Sequence, residues 1–153
     1  MTSDRLVKYW LPVILWLGFT FLMSTKTFSA ENTSRIIEPI VRFLFPSISH
    51  HGMILVHEII RKLAHVTEYF ILGILLFRAF KGSLASPHSL RWAALSLLIL
   101  VLAALGDEFH QTFVPGRTPS IIDVGIDSFG GFLAQCVSVA WFRFRQRHPR
   151  TTE

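Results

Sequence analysis

Four apolar stretches, over residues 7–23, 62–80, 91–108 and 121–142, leave this chain few ways to fold. Each has the roughly 17–25 residues a helix needs to cross a hydrocarbon core about 30 Å thick. In lipid every backbone polar group must be satisfied within the segment, so apolar runs of this length are read as spanning helices. The composition agrees: 51% of residues are hydrophobic and 16% charged, and the mean hydropathy is +0.47. The expected fold is all-α, a polytopic membrane four-helix bundle forming one domain over residues 1–153. The 14 Phe and 4 Trp suit lipid-facing and interfacial positions. The net charge of +5 does not indicate a nucleic-acid partner, because no basic stripe carries interleaved aromatics. The single cysteine, Cys136, excludes an internal disulfide, and its apolar run predicts a buried, inert thiol.

The first run is read as a retained span and not a cleaved leader. The cleavage position near Ala30 has Phe28 where a small residue is needed. Between the first two spans, Ile36, Ile37, Ile40, Val41 and Leu44 fall on one side at helical spacing. They predict a short amphipathic helix lying on the membrane or across the mouth of the bundle. Thr33 or Ser34 is its expected cap, and Pro39 marks a kink or a start. A continuous helix over residues 53–80 would measure about 42 Å, so its first turns are expected to project from the bilayer.

Lysine and arginine bias sets the orientation. Arg5, Lys8, Arg78, Lys81, Arg91, Arg143, Arg145, Arg147 and Arg150 share one side of a four-span chain. The remaining Lys and Arg are spread over much longer loops on the other. Both termini are therefore expected in the cytoplasm, with the protein in the bacterial inner membrane. Residues 106–131, between the last two spans, then lie at the outer face.

That stretch holds the densest polar group in the chain. Asp107 and Glu108 end one span, Asp123 and Asp127 begin the next, and Arg117 lies between Pro115 and Pro119. At the same membrane level, the second span carries Lys62, His65, Glu68 and Tyr69 at spacings that share a helical face. A mid-span charge costs about 2.5–3.5 kcal/mol on insertion scales, so carboxylates at these depths are expected to turn inward toward partners. Gln111 lies one turn beyond Asp107, and Gly130, Gly131 and Ala134 continue the Asp127 side as a smooth surface for a neighbouring helix. Crowded acids favour shared protons or a bound cation, and Asp107, Glu108 and Asp123 are the expected oxygen ligands of a divalent cation.

The segments K-L-A-H-V-T-E-Y (residues 62–69) and D-E-F-H-Q-T-F-V-P-G-R-T-P-S-I-I-D-V-G-I-D-S-F-G-G (residues 107–131) resemble the VanZ-like family of bacterial membrane proteins. One departure stands out: Asp127 occupies the position where that pattern usually has asparagine. The resemblance implies a cell-envelope membrane protein, in a family with a member linked to low-level resistance to the glycopeptide teicoplanin. Three functions fit the residues. One is an enzyme acting on a membrane lipid or lipid-linked cell-wall precursor. His65, Glu68, Asp107 and Glu108 would carry the acid–base chemistry, with Lys62, Tyr69, Gln111, Arg117 and Asp127 binding the substrate. Another is a binding protein using the same pocket without turnover. The third is a small proton- or ion-coupled transporter. A purely structural ion-pair network is the reading against all three.

Overall fold

The computed structural model describes residues 3–25, 30–84, 88–114 and 119–148. Every regular element among them is a helix: α1 (Ser3–Met23), α2 (Ala30–Leu44), α3 (His50–Ser83), α4 (Ser89–Gln111) and α5 (Ile121–Arg147). Helices α1, α3, α4 and α5 are long and apolar enough to span a membrane. The expected bundle, with an amphipathic helix between its first two spans, is the fold observed.

The boundaries differ from expectation where caps decide them. Helix α3 starts at His50 because the Ser49 hydroxyl accepts a hydrogen bond from the Gly52 amide at 3.1 Å. Its 34 residues measure about 51 Å, well beyond the hydrocarbon thickness. Helix α5 is capped by Ser120, whose hydroxyl accepts from the Ile122 amide at 3.2 Å. Helix α2 begins at Ala30, ahead of Thr33 and Ser34, and carries Pro39 in its interior without ending there.

Helix α3 is the axis of the bundle and packs on each of the other four helices. Its closest partner is α5, and small residues allow the approach. A methyl group on Gly130 would lie 2.5 Å from the Val66 carbonyl oxygen, and one on Gly73 would lie 2.6 Å from the Ala134 side chain. On the other side of α5, Gly131 takes the Leu100 side chain of α4. The Gln135 amide donates to the Gly73 carbonyl at 3.1 Å, a polar tie between α3 and α5 inside the apolar layer. Around these contacts Val13, Leu72, Leu76, Leu100 and Ala104 form the core. The outward surface is apolar as well, with Leu98, Leu102, Phe129, Phe132 and Val137 exposed. Such a surface suits lipid and would be a liability in water. Cys136 belongs to this surface: it is exposed, not buried as expected, because α5 turns Gln135 and Ala134 inward and Cys136 outward.

The two ends of the bundle differ in character. At one end, aromatic rings carry cations: Arg78 lies over Tyr9 at 5.8 Å, Lys81 over Phe142 at 5.0 Å and Arg145 over Trp141 at 5.2 Å. Trp10 donates to the Ser83 hydroxyl at 2.8 Å at the same level. This is the composition of an interfacial belt. At the opposite end α2 joins the bundle. Val41 is buried there, while Ile36, Ile40 and Phe43, the last 84% exposed, point away from the protein. The polar side of α2 carries the Glu38–Arg42 ion pair at 2.8 Å. An outward apolar stripe beside a charged one is the pattern of a helix at the membrane surface.

The α3–α5 crossing yields a stability prediction. Gly130→Ala places its methyl group against the Val66 backbone and is expected to cost about 1–3 kcal/mol. Gly125→Ala meets nothing within 4 Å and is expected to be neutral or slightly stabilising. Denaturation of the two purified variants in detergent compares them directly.

Candidate functional site

Beneath α2, at the end of the bundle away from the aromatic–cation belt, α1, α2, α3 and α4 enclose a cavity of about 130 Å3. Its wall includes Met23, Ile37 and Ile60 beside the polar groups of His57, Glu58, Arg61, His65, Glu68 and Asp107. Tyr69, 3% exposed, closes the inner end. Helix α3 supplies most of the polar wall because Arg61, His65 and Glu68 recur at intervals of four and three residues, one face of a helix. Helix α1 is tied to this face by Trp16, whose indole donates to the Glu68 carbonyl at 2.9 Å.

Behind the wall lies Asp127 of α5. It is fully buried, and its Oδ1 stands 3.1 Å from His65 Nδ1. Its Oδ2 has no hydrogen-bond partner among the described residues. Asp107 of α4 completes the group, oriented by Gln111, which donates to Asp107 Oδ2 at 3.2 Å. One ligand atom from each of His65, Asp107 and Asp127 lies within 4.8 Å of the others. Three successive spanning helices therefore meet here at one level.

Glu108 and Asp123 do other work. The Ser120 amide donates to Glu108 Oε2 at 2.6 Å, which joins the end of α4 to the start of α5. Arg61 reaches Asp123 Oδ2 at 3.7 Å and Glu58 Oε2 at 3.4 Å. Asp123 also sits in the first turn of α5, where the helix dipole favours a negative charge. The acidic and imidazole groups that lie together are those of His65, Asp107 and Asp127; of the expected oxygen ligands Asp107, Glu108 and Asp123, only Asp107 is among them. Glu108 Oε2 is taken by the Ser120 amide and Asp123 faces Arg61, while Glu108 Oε1 is buried without a partner among the described residues.

Lys62, expected at the site, is exposed and absent from the cavity wall, whereas its neighbour Arg61 faces inward. The seven-residue interval from Arg61 to Glu68, with His65 between, was the signal that favoured Arg61. His57 and Glu58 continue the same face one turn further out and were also missed. Arg117 and Pro115 lie outside the described residues.

A protein-family model described as VanZ/LLP1 matches residues 9–143, and the chain belongs to that family. No match was found among curated proteins or among solved structures.

The Glu108–Ser120 contact generates a prediction. Glu108→Ala removes the acceptor for a part-buried amide and is expected to cost about 1.5–3 kcal/mol, the range for hydrogen bonds to charged groups. Glu108→Gln keeps a carbonyl acceptor and is expected to lose less than half as much. Melting temperatures of the purified proteins separate the two variants.

Proposed function

For this member of the VanZ/LLP1 family, we propose that the cavity receives the anionic headgroup of an envelope lipid or lipid-linked cell-wall precursor. One observation carries the reading. Arg61 presents a guanidinium to the pocket, and its Nε is buried with no hydrogen-bond partner among the described residues. Its contacts to Glu58 and Asp123, at 3.4 and 3.7 Å, are long for charge-assisted hydrogen bonds. A planar fork of donors held loosely in this way suits a phosphate or carboxylate, which it can grip with two parallel bonds.

Size and position support the same reading. About 130 Å3 is comparable with the engineered cavity of about 150 Å3 that admits benzene. It accommodates a headgroup fragment and leaves acyl chains in the bilayer. The pocket lies beside α2, whose outward Ile36, Ile40 and Phe43 suit a position at the lipid surface. The basic, aromatic end carries Lys8, Arg78, Lys81 and Arg145, which favours the cytoplasmic side under the positive-inside rule. On that orientation both termini are cytoplasmic, the protein sits in the bacterial inner membrane, and the pocket opens to the outer leaflet. An outer-leaflet headgroup site fits the cell-envelope function that the family resemblance implies.

Native mass spectrometry of the protein in mixed nanodiscs of phosphatidylglycerol and phosphatidylcholine tests the binding. The wild type is expected to retain phosphatidylglycerol preferentially, and Arg61→Gln to weaken that retention about 10- to 100-fold. This corresponds to the 1.5–3 kcal/mol typical of a charged hydrogen bond. Equal retention of both lipids by the wild type, or no change in Arg61→Gln, rejects the proposal.

A further inference from the structure

We propose that His65, Asp107 and Asp127 form a binding site for one divalent transition-metal ion, of which zinc is the representative, at the inner end of the cavity. The donor set is one imidazole nitrogen and two carboxylates, drawn from three different helices. Three protein ligands of this kind, with a further position left open, are the pattern of zinc sites that engage a water or a substrate. The imidazole favours a transition ion over magnesium, which is held by oxygen ligands and retains much of its water.

Two observations lead beyond a mere gathering of acids. The first is Asp127 Oδ2: it is an oxygen of a fully buried carboxylate that belongs to the group, and it has no partner among the described residues. A buried carboxylate oxygen without a partner incurs the full cost of its desolvation, and a cation removes that cost. The second is spacing. Ligand atoms on a common tetrahedral ion with bonds near 2.0–2.2 Å stand roughly 3.3–3.6 Å apart. His65 Nδ1 and Asp127 Oδ1, hydrogen-bonded at 3.1 Å, are within a few tenths of an ångström of such a separation. One ligand atom from each of His65, Asp107 and Asp127 lies within 4.8 Å of the others, so the set need draw in by little more than an ångström to share an ion.

The local charge balance points the same way. Arg61 is directed to Asp123 and Glu58. Asp107 and Asp127 are instead in contact with neutral Gln111 and with His65, respectively. The Gln111 contact is what an outer partner of a ligating carboxylate provides: it fixes which oxygen faces the ion. His65 and Asp107 line the cavity while Asp127 lies behind them, so an ion would be anchored from behind and open toward the cavity. The site stands whether or not a lipid headgroup enters, and its test uses zinc alone.

Purified full-length protein in detergent, stripped with a chelator and titrated with Zn2+ by calorimetry, is expected to bind about one ion per chain. Asp127→Asn keeps the shape of the side chain, and Asp107→Asn keeps an acceptor for Gln111. Each is expected to weaken binding at least about tenfold. Cys136→Ser, on the outward surface of α5, is expected to leave it unchanged. X-ray absorption at the zinc edge of the wild-type complex gives a second readout that needs no variant. It is expected to show a nitrogen–oxygen shell with an imidazole signature and no sulfur. No binding by the wild type at micromolar zinc, wild-type binding by both Asp variants, or a shell lacking imidazole would falsify the proposal. Zinc binding lost without any change in phosphatidylglycerol retention by the same variants separates this site from the headgroup reading.

Discussion

A carboxylate inside a membrane span has to be given a partner or water, and this chain carries Glu68, Asp107, Glu108, Asp123 and Asp127 near one end of its bundle. Left facing lipid, five such groups would cost on the order of 10 kcal/mol, comparable with the net stability of a domain. That constraint orients the helices. Asp123 and Asp127 are buried on α5, Glu108 is buried on α4, and Asp107 is partly sheltered beside it. The apolar residues between them, such as Phe109 and Phe129, are left to face outward.

The remaining packing makes this arrangement possible. Buried acids can meet only if the helices that carry them come close, and the glycines of α5 permit that. Gly130 lets the α3 backbone approach, Gly131 receives Leu100 of α4, and Gly73 answers Ala134 from the α3 side. A smooth contact deep in the bundle thus positions a polar contact one to two turns nearer the surface. The Gln135–Gly73 hydrogen bond fixes the register of the same pair of helices. The aromatic and cationic belt at the far end holds α1 against α3 through Trp10 and Tyr9, and so closes the side of the cavity.

Most of the fold was legible in the sequence because hydrophobicity and length alone specify spanning helices. The amphipathic helix was legible from the spacing of Ile36, Ile37, Ile40, Val41 and Leu44, although its start at Ala30 was not. The convergence of α3, α4 and α5 followed from the cost of intramembrane charge. What the sequence did not reveal were choices between neighbours. Lys62 and Arg61 are adjacent, and only the face shared with His65 and Glu68 separates them. Asp107 and Glu108 are adjacent too, yet one joins His65 and Asp127 while the other accepts from Ser120 twelve residues on. Cys136 was assigned inward on hydropathy, but in lipid an apolar environment exists on both sides of a helix.

The central claim is that groups from separate spans meet in one sheltered hollow, and the His65–Asp127 contact is its most direct link. A double-mutant cycle with His65→Ala and Asp127→Ala, read by equilibrium unfolding in detergent, measures that link. The account predicts a coupling energy of about 1 kcal/mol or more, within the range for residues in direct contact. Effects that add to within about 0.3–0.5 kcal/mol, as for distant sites, would contradict it.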